Sequence, residues 1–481
     1  MPHANILKLL GFACAALAVL MILPLLFALA NGEHAQVVSF LTSIALSSFF
    51  GGGLFLAFRG NRRRSSGRDA ILVMLVIWMT APFFAALPLI IGGTFQHLNE
   101  AVFEATSGLT TTGATLLEHL AGVPRSILVW RSMLQWVGGF ATIVMAVAVF
   151  SATSFGNLPV HKLPIQISDE SPLSDRLVYV IKSLVSTYLI ISLLCFILLW
   201  ASGLPSFDAF CIALSTVSTG GFMVIDGSFS AYSSPLSEIV LMVFMVMGAM
   251  NFVLHTEALN GKFHLYRQEP EVLTFGVLIF CFGILFFVLS QGESNASRNF
   301  FSSFFNAASL ISTTGYGIGE AKPMAHIPPA LLLMVALVGG SALSTAGGLK
   351  LVRAILLVRQ SMAELDRLAH PHSVIRIRYG VRTVNPEVFS GLWIYFVVLA
   401  AALAGISLLL TALGYDFLTS VSATAATLSN TGPVYDYATS QALPFREMSG
   451  SARWLLSISM ILGRMEIFLI LPMFDRLFWE K

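Results

Sequence analysis

Four threonine-glycine pairs, Thr112-Gly113, Thr219-Gly220, Thr314-Gly315 and Thr431-Gly432, offer the plainest chemistry in this chain. Thr111, Ser218, Thr313 and Asn430 lead into them, so each run presents hydroxyl, amide and carbonyl oxygens and no carboxylate. Uncharged oxygens suit a large monovalent cation, because a ring of carbonyls replaces its water shell without holding it too tightly to leave. Glycine permits the backbone conformations that turn consecutive carbonyls inward. A single Thr-Gly is more simply a helix C-cap or a turn, which glycine also favours. The successive glycines, however, are 107, 95 and 117 residues apart (220−113, 315−220, 432−315), and a near-constant period marks an internal repeat. Four copies of one loop could surround one axis.

The elements that must position these loops live in a membrane. Of 481 residues 56% are hydrophobic and only 11% charged, against about 25% charged in soluble domains. The first apolar run, 9–30, is too long for the core of a cleaved signal and reads as a retained helix, although the signal reading stays open. A second run, 37–58, completes an N-terminal hairpin. Each repeat then has a spanning helix (69–91, 174–202, 271–291, 386–413), a non-spanning segment of about ten residues that ends at the Thr-Gly, and a second spanning helix (126–154, 235–262, 328–367, 448–478). A short apolar helix between two spans, ending in glycine, is the pattern of a re-entrant pore loop. The expected fold is an all-α polytopic membrane protein of about ten transmembrane helices, divided into a hairpin (1–66) and four pore repeats (67–160, 161–268, 269–375, 376–481). Cys14, Cys195, Cys211 and Cys281 have no Cys-x-x-Cys spacing and read as packing residues.

Orientation follows from the basic residues. Lys8, the cluster Arg59, Arg62, Arg63, Arg64 and Arg68, the groups at Lys162, Arg176 and Lys182, at Lys262 and Arg267, and from 350 to 382, with Arg476 and Lys481, all fall on one side if each repeat crosses twice. The positive-inside rule makes that side the cytoplasm, with both termini cytoplasmic and the Thr-Gly loops approaching from outside. Glu100, Glu104, Glu118, Asp226 and Glu320 would concentrate cations at the outer mouth or be ordinary solvated loop residues. His255 and Glu257 suggest a proton relay, or equally side chains reaching towards the interface.

Two features below the loops bear on control. The second helix of repeat 3 is interrupted by Gly339-Gly340-Ser341-Ala342-Leu343-Ser344-Thr345-Ala346-Gly347-Gly348, too rich in Gly and Ser for a regular helix interior. Such a break either lines the pathway or permits a close helix crossing. Arg464 lies mid-way along an apolar run, where a charge costs about 2.5–3.5 kcal/mol and must face protein or water. Glu466, two residues on, points to a different helix face and is a poor partner.

Ser312-Thr313-Thr314-Gly315-Tyr316-Gly317 resembles the potassium-channel filter signature, and the layout as a whole resembles the Trk/Ktr/HKT superfamily of cation transporters over essentially the full length. The resemblance implies that Gly113, Gly220, Gly315 and Gly432, with Thr111, Thr112, Ser218, Thr219, Thr313, Thr314, Asn430 and Thr431, line one filter for transported K+. Sodium-favouring plant members carry serine at the first glycine, so Gly113 implies potassium. The resemblance further implies a gate at Gly339, Gly340, Ser344, Thr345, Gly347 and Gly348, and a pore-facing Arg464 that opposes resting cation flow. It also implies a bacterial inner-membrane location, a homodimer, and a cytoplasmic nucleotide-binding regulatory subunit of the TrkA type. The basic stretch 353–382, with Arg376, Arg378 and Arg382, would be its docking surface, or simply positive-inside charge.

Conduction down the ion's own gradient, symport of K+ with H+ or Na+, and secondary transport of another solute are the readings that remain; inverted repeats, which the last would favour, are not apparent. No nucleophile-base pair or metal set is visible in the spans, so no enzyme is expected, and no phosphate-binding loop is visible.

Overall fold

The computed structural model describes residues 4–59, 67–150, 173–232, 234–290, 296–319, 323–324, 326–370, 372–373, 375–380, 382–438 and 443–465. Arg62, Arg63, Arg64, Lys162, Glu320, Glu466, Arg476 and Lys481 lie outside them.

The N-terminal hairpin comprises α1 (Ala4–Leu20), α2 (Ile22–Ala30) and α3 (His34–Ala57), with α1 packed along α3. Gly11 and Gly51 make that approach close, since a Cβ on Gly11 would lie 2.8 Å from the Gly51 carbonyl oxygen and one on Gly51 2.8 Å from that of Gly11. Such contacts between small residues hold apolar helices together where lipid supplies no hydrophobic drive.

Repeat 1 contains α4 (Gly67–Ile91), α5 (Leu98–Leu109) and α6 (Arg125–Phe150); repeat 2 contains α7 (Leu173–Ala201), α8 (Ser206–Val217), α9 (Pro235–Ala249) and α10 (Phe252–Leu259). The short α11 (Leu265–Gln268) leads into repeat 3, which has α12 (Pro270–Leu289), α13 (Ala296–Ile311), α14 (Pro329–Val338) and α15 (Leu351–Ala369). A two-residue antiparallel hairpin, β1 (Arg378–Tyr379) and β2 (Arg382–Thr383), precedes repeat 4, with α16 (Glu387–Ala412), α17 (Phe417–Leu428), α18 (Val434–Ala438) and α19 (Gly450–Arg464). Among the described residues seven helices are long and apolar enough to cross a membrane, and an eighth span results if α9 and α10 count as one.

The short helices α5, α8, α13 and α17 fix the architecture. Each packs against both helices of its own repeat and against the second helix of the repeat before it: α5 against α19, α8 against α6, α13 against α9 and α17 against α14. That neighbour rule closes only as a ring in the order 1-2-3-4. These helices bury hydroxyls as well as apolar groups: Thr106, Thr216, Thr424 and Thr427 each return a hydroxyl to a carbonyl four residues back in its own helix.

Two second helices are interrupted, that of repeat 2 against expectation and that of repeat 3 in line with it. The run 235–262 breaks after Ala249, and α9 and α10 meet at 104°. Met250 takes an extended conformation, and the Asn251 side chain accepts the Val253 N–H and starts a new helix. The run 328–367 breaks at 339–350, as its glycines led us to expect. The two breaks satisfy each other: Ser341 N–H donates to the Ala249 carbonyl (2.8 Å), Thr345 N–H to Gly248 (3.2 Å), and Phe252 N–H to Leu343 (3.2 Å). Backbone groups freed inside a membrane need such partners.

Candidate ion pathway

All four short helices end in the same way. After Leu109, Val217, Ile311 and Leu428 comes one residue, and then a residue in the left-handed region: Thr111 (φ 53°), Thr219 (φ 52°), Thr313 (φ 59°) and Asn430 (φ 54°). The next N–H bonds back five residues, Thr112 to Ser107, Gly220 to Ser215, Thr314 to Ser309 and Thr431 to Ala426, at 2.8–3.0 Å. These are helix C-caps of the left-handed kind, made by the residue before the Thr-Gly pair in repeats 1, 3 and 4 and by Thr219 in repeat 2, never by the glycine of the pair. They are made, however, on threonine or asparagine, and a β-branched residue rarely adopts that conformation. Strain of about 1–3 kcal/mol per site, held in place by surrounding structure, concentrates where function requires a fixed geometry.

The caps correct the register of repeat 2. Thr219 corresponds to Thr111, and Gly220 to Thr112 and Thr314; the counterpart of Gly113 and Gly315 is Gly221, with φ 79° beside their 78° and 84°. Every one of these glycines lies four residues past its helix end (113−109, 221−217, 315−311, 432−428). The dipeptide search missed this because repeat 2 alone carries Gly-Gly; counting from the last apolar helix residue recovers it. Ser218 accordingly belongs to the cap, its hydroxyl bonded to Leu214.

Each glycine abuts the segment of the next repeat, in ring order. A Cβ on Gly113 would fall 2.2 Å from the Gly220 carbonyl oxygen, one on Gly221 2.0 Å from that of Thr314, one on Gly315 2.8 Å from Pro433 Cδ, and one on Gly432 2.2 Å from Ala114 N. Gly432 N–H also donates to the Thr112 carbonyl at 2.6 Å, and the Asn430 amide donates to the Thr112 hydroxyl at 3.0 Å, closing repeat 4 onto repeat 1. With the helices ending here, four C-terminal partial negative charges converge on the axis.

Outside the ring opens a cavity of about 590 Å³ lined by Gly113, Gly221, Gly315 and Pro433 from the four segments, with Asp226 and Asp436. The acidic residues divide differently from expectation. Glu104 is buried and paired with Arg131 (2.8 Å), Glu100 bonds Arg453 (3.0 Å), and Asp226 accepts the Leu120 N–H (2.6 Å). Glu118 lines the cavity but pairs with exposed Arg446 (3.1 Å). Asp436, which sequence reasoning passed over, opens onto the cavity while protein encloses its other sides, and that enclosure pushes its carboxyl up to about 6.

Beneath the ring lies the Gly-rich loop. Gly347 N–H donates to the Thr313 hydroxyl (2.8 Å), and a Cβ on Gly347 would lie 2.2 Å from the Ser429 carbonyl oxygen. The Thr219 hydroxyl bonds that of Thr345 (3.2 Å), which in turn donates to the Val217 and Gly248 carbonyls. The loop folds tightly on itself: Gly339 and Gly348 sit at positive φ with Cβ space closed by each other's backbone, Gly340 meets Ala346, and the Ser344 hydroxyl bonds Ser341. Glu271 at the start of α12 ties both flanks, accepting the Ala342 and Val352 N–H groups at 3.0 Å. Arg464 is 3% exposed and donates to the Thr345 carbonyl (2.7 Å) and the Thr142 hydroxyl (2.6 Å), so it reaches the loop from repeat 4 while touching repeat 1.

Away from the axis, His255 is buried and bonds the Met247 carbonyl (2.9 Å) and Tyr266 hydroxyl (2.5 Å) across the α9–α10 bend, and Glu257 pairs with Lys262. Arg376, Arg378 and Arg382 are exposed, whereas Arg353 is buried with its guanidinium 4.2 Å from the Tyr395 ring centre.

A ring of four helix-loop segments among apolar spans, with a cavity on one side and a Gly-rich loop on the other, defines a polytopic helical membrane protein built on four similar repeats. Residues 36–269 and 272–477 match the family described as "TrkH: Cation transport protein". The chain is 32% identical over its whole length to the whole of the Trk system potassium uptake protein TrkH of Vibrio parahaemolyticus, and 30% identical to the Trk system potassium uptake protein TrkG of Escherichia coli, covering 98% of this chain and 97% of that one. The crystal structure of the potassium transporter TrkH from Vibrio parahaemolyticus superposes with a TM-score of 0.89 at 32% identity, covering 100% of both chains. The chain belongs to the TrkH family of cation transport proteins.

Proposed function

We propose that this chain is the potassium-translocating subunit of a Trk-type uptake system, with Gly113, Gly221, Gly315 and Gly432 and the residues before them as its selectivity filter. One observation carries the reading: four left-handed caps set four glycines each against the segment of the next repeat in ring order, beneath an open cavity and at the negative ends of four helices. Such a site offers a cation only uncharged oxygens and helix dipoles, which favours a monovalent ion that must also leave. Below it, residues 339–350 act as the gate and Arg464 as its electrostatic lock. The relatives' printed names as potassium uptake proteins support K+ as the ion.

Within this reading the hairpin and four repeats divide near 66, 160, 268 and 375, both termini are cytoplasmic in a bacterial inner membrane, and the subunit works as a homodimer. A nucleotide-binding regulatory subunit of the TrkA type docks on the cytoplasmic side, where Arg376, Arg378 and Arg382 offer exposed charge and the buried Arg353 does not. Bacteria lacking potassium uptake test the function directly. Expression of this chain should restore growth at limiting K+ and the Gly113→Asp variant should not; rescue that survives the substitution would overturn the filter assignment.

A pH dependence follows from Asp436. Its raised pKa means that it takes up a proton as external pH falls through about 6, removing a negative charge from the outer cavity. The K+ concentration for half-maximal uptake should therefore rise roughly threefold between about pH 8 and about pH 5, and Asp436→Asn should remove most of that change. An unchanged profile in the variant would exclude Asp436 as the group responsible.

A further inference from the structure

We propose that Glu104 and Arg131, with Asn306 in the opposite repeat, are specificity-determining positioning residues that set how strictly the filter discriminates between monovalent cations. The inference rests on the pore reading above and concerns the strands that leave the glycines rather than the glycines themselves.

Glu104 and Arg131 are 1% and 2% exposed. One carboxylate oxygen of Glu104 accepts from Arg131 Nε (2.8 Å) and the Thr115 hydroxyl (2.9 Å); the other accepts the Leu116 N–H (2.9 Å). Arg131 also donates from Nη2 to the Thr115 hydroxyl (2.9 Å) and from Nη1 to the Met223 carbonyl (3.5 Å), and its guanidinium lies 4.1 Å from the Phe222 ring centre. The pair thereby holds the strand after Gly113 and touches the strand after Gly221. One turn further along α6, Gln135 donates to the Gly220 carbonyl (2.7 Å) and accepts the Phe222 N–H (3.3 Å). One face of α6 thus braces two adjacent exits.

Repeat 3 makes the same staple without charge. Glu104 and Asn306 each stand five residues before their helix end (109−104, 311−306), and Leu116 and Ile318 each three residues past their glycine (116−113, 318−315). Asn306 bonds both the Ile318 N–H and its carbonyl at 3.0 Å. The corresponding residues of repeats 2 and 4, Ile212 and Ala423, have no polar side chain to offer. Repeat 4 passes into α18 after Pro433, and repeat 2 borrows its support from Arg131, Gln135 and the Tyr316 hydroxyl, which donates to the Phe222 carbonyl (3.2 Å). Two staples therefore stand on opposite sides of the ring, and only the one that must reach a second strand carries a guanidinium.

Discrimination between K+ and Na+ depends on where the ring's oxygens are held, and a site loosened by a fraction of an ångström loses specificity before it loses function. Releasing an exit strand should let the ring contract around a smaller ion while K+ still passes. A buried charge also needs its partner, so Glu104 and Arg131 must be changed with charge in mind.

The test is the K+/Na+ permeability ratio of the full chain reconstituted in liposomes, measured on protein that elutes as a single species. The charge-neutral double variant E104Q/R131M and the uncharged-site variant N306L should each lower the ratio about tenfold while retaining K+ flux, and R131K should fall between. A purely structural role would lower the amount of folded protein and leave the ratio of the survivors unchanged. A wild-type ratio in folded E104Q/R131M and N306L overturns the inference. Absence of K+ flux in the wild-type chain overturns the pore reading itself, and the two failures are distinguished by that control.

Discussion

Gly221→Ala is expected to reduce potassium flux at least about a hundredfold, and Gly220→Ala to leave it within about tenfold. At Gly221 the backbone has φ 79°, and a Cβ would lie 2.0 Å from the Thr314 carbonyl oxygen, itself a main-chain atom of the neighbouring repeat. Relief requires that carbonyl to move outward by about an ångström, or the left-handed turn, which costs a non-glycine residue about 1–2 kcal/mol, to unwind. Either movement opens the ring. At Gly220 the Cβ would meet only the end of the Gln135 side chain, 2.3 Å from Cδ, and the backbone φ is ordinary. Gln135 can withdraw by a rotamer change at the loss of its bonds to the Gly220 carbonyl, the Phe222 N–H and the Ser215 hydroxyl, which loosens the exit strand without moving a ring carbonyl by steric force. Flux assays on both variants decide the register: a more severe defect in Gly220→Ala would return the filter glycine to the Thr-Gly dipeptide.

That register shows where the sequence was readable. The composition, the four short helices and the breaks at glycine follow from local residues, so the spans 69–91, 174–202, 271–291 and 386–413 reappear in the structure within a few residues as Asp69–Ile91, Leu177–Ala201, Pro270–Leu289 and Val388–Ala412. In repeat 2 the Thr-Gly dipeptide stops one residue short of the glycine four past the helix end, because a dipeptide is a weaker marker than distance from a helix end. The bend after Ala249 was hidden in a continuous apolar run, and its stabilising partners lie about a hundred residues away in the Gly-rich loop. Contact between elements also concealed Glu104: residue type suggested a mouth carboxylate or a solvated loop residue, whereas Arg131, 27 residues on and on another helix, makes it a buried pair. Contacts between elements, unlike the elements, leave little trace in local pattern.

Arg464→Ala is expected to raise K+ flux through the unregulated chain between about tenfold and about a hundredfold. A unit charge about 6 Å from a passing cation opposes it by about 3 kcal/mol at an effective dielectric of about 20, and each 1.4 kcal/mol is about a factor of ten. The substitution also removes a donor from the Thr345 carbonyl, which frees the loop from α19. Arg464→Lys keeps the charge but loses the fork that reaches both Thr345 and Thr142, and should give a smaller increase. Isotope uptake into liposomes that contain this chain alone is the appropriate measurement. Flux that is unchanged or lower in folded Arg464→Ala would assign this arginine a structural role and leave control to residues 339–350 alone.

The proposed function requires that the four glycine segments form one ion site. Crystals of the protein grown in rubidium, with data collected at the rubidium absorption edge, test it most directly. Anomalous density is expected on the axis enclosed by Gly113, Gly221, Gly315 and Gly432. Bound rubidium elsewhere in the protein, with none on that axis, would contradict it.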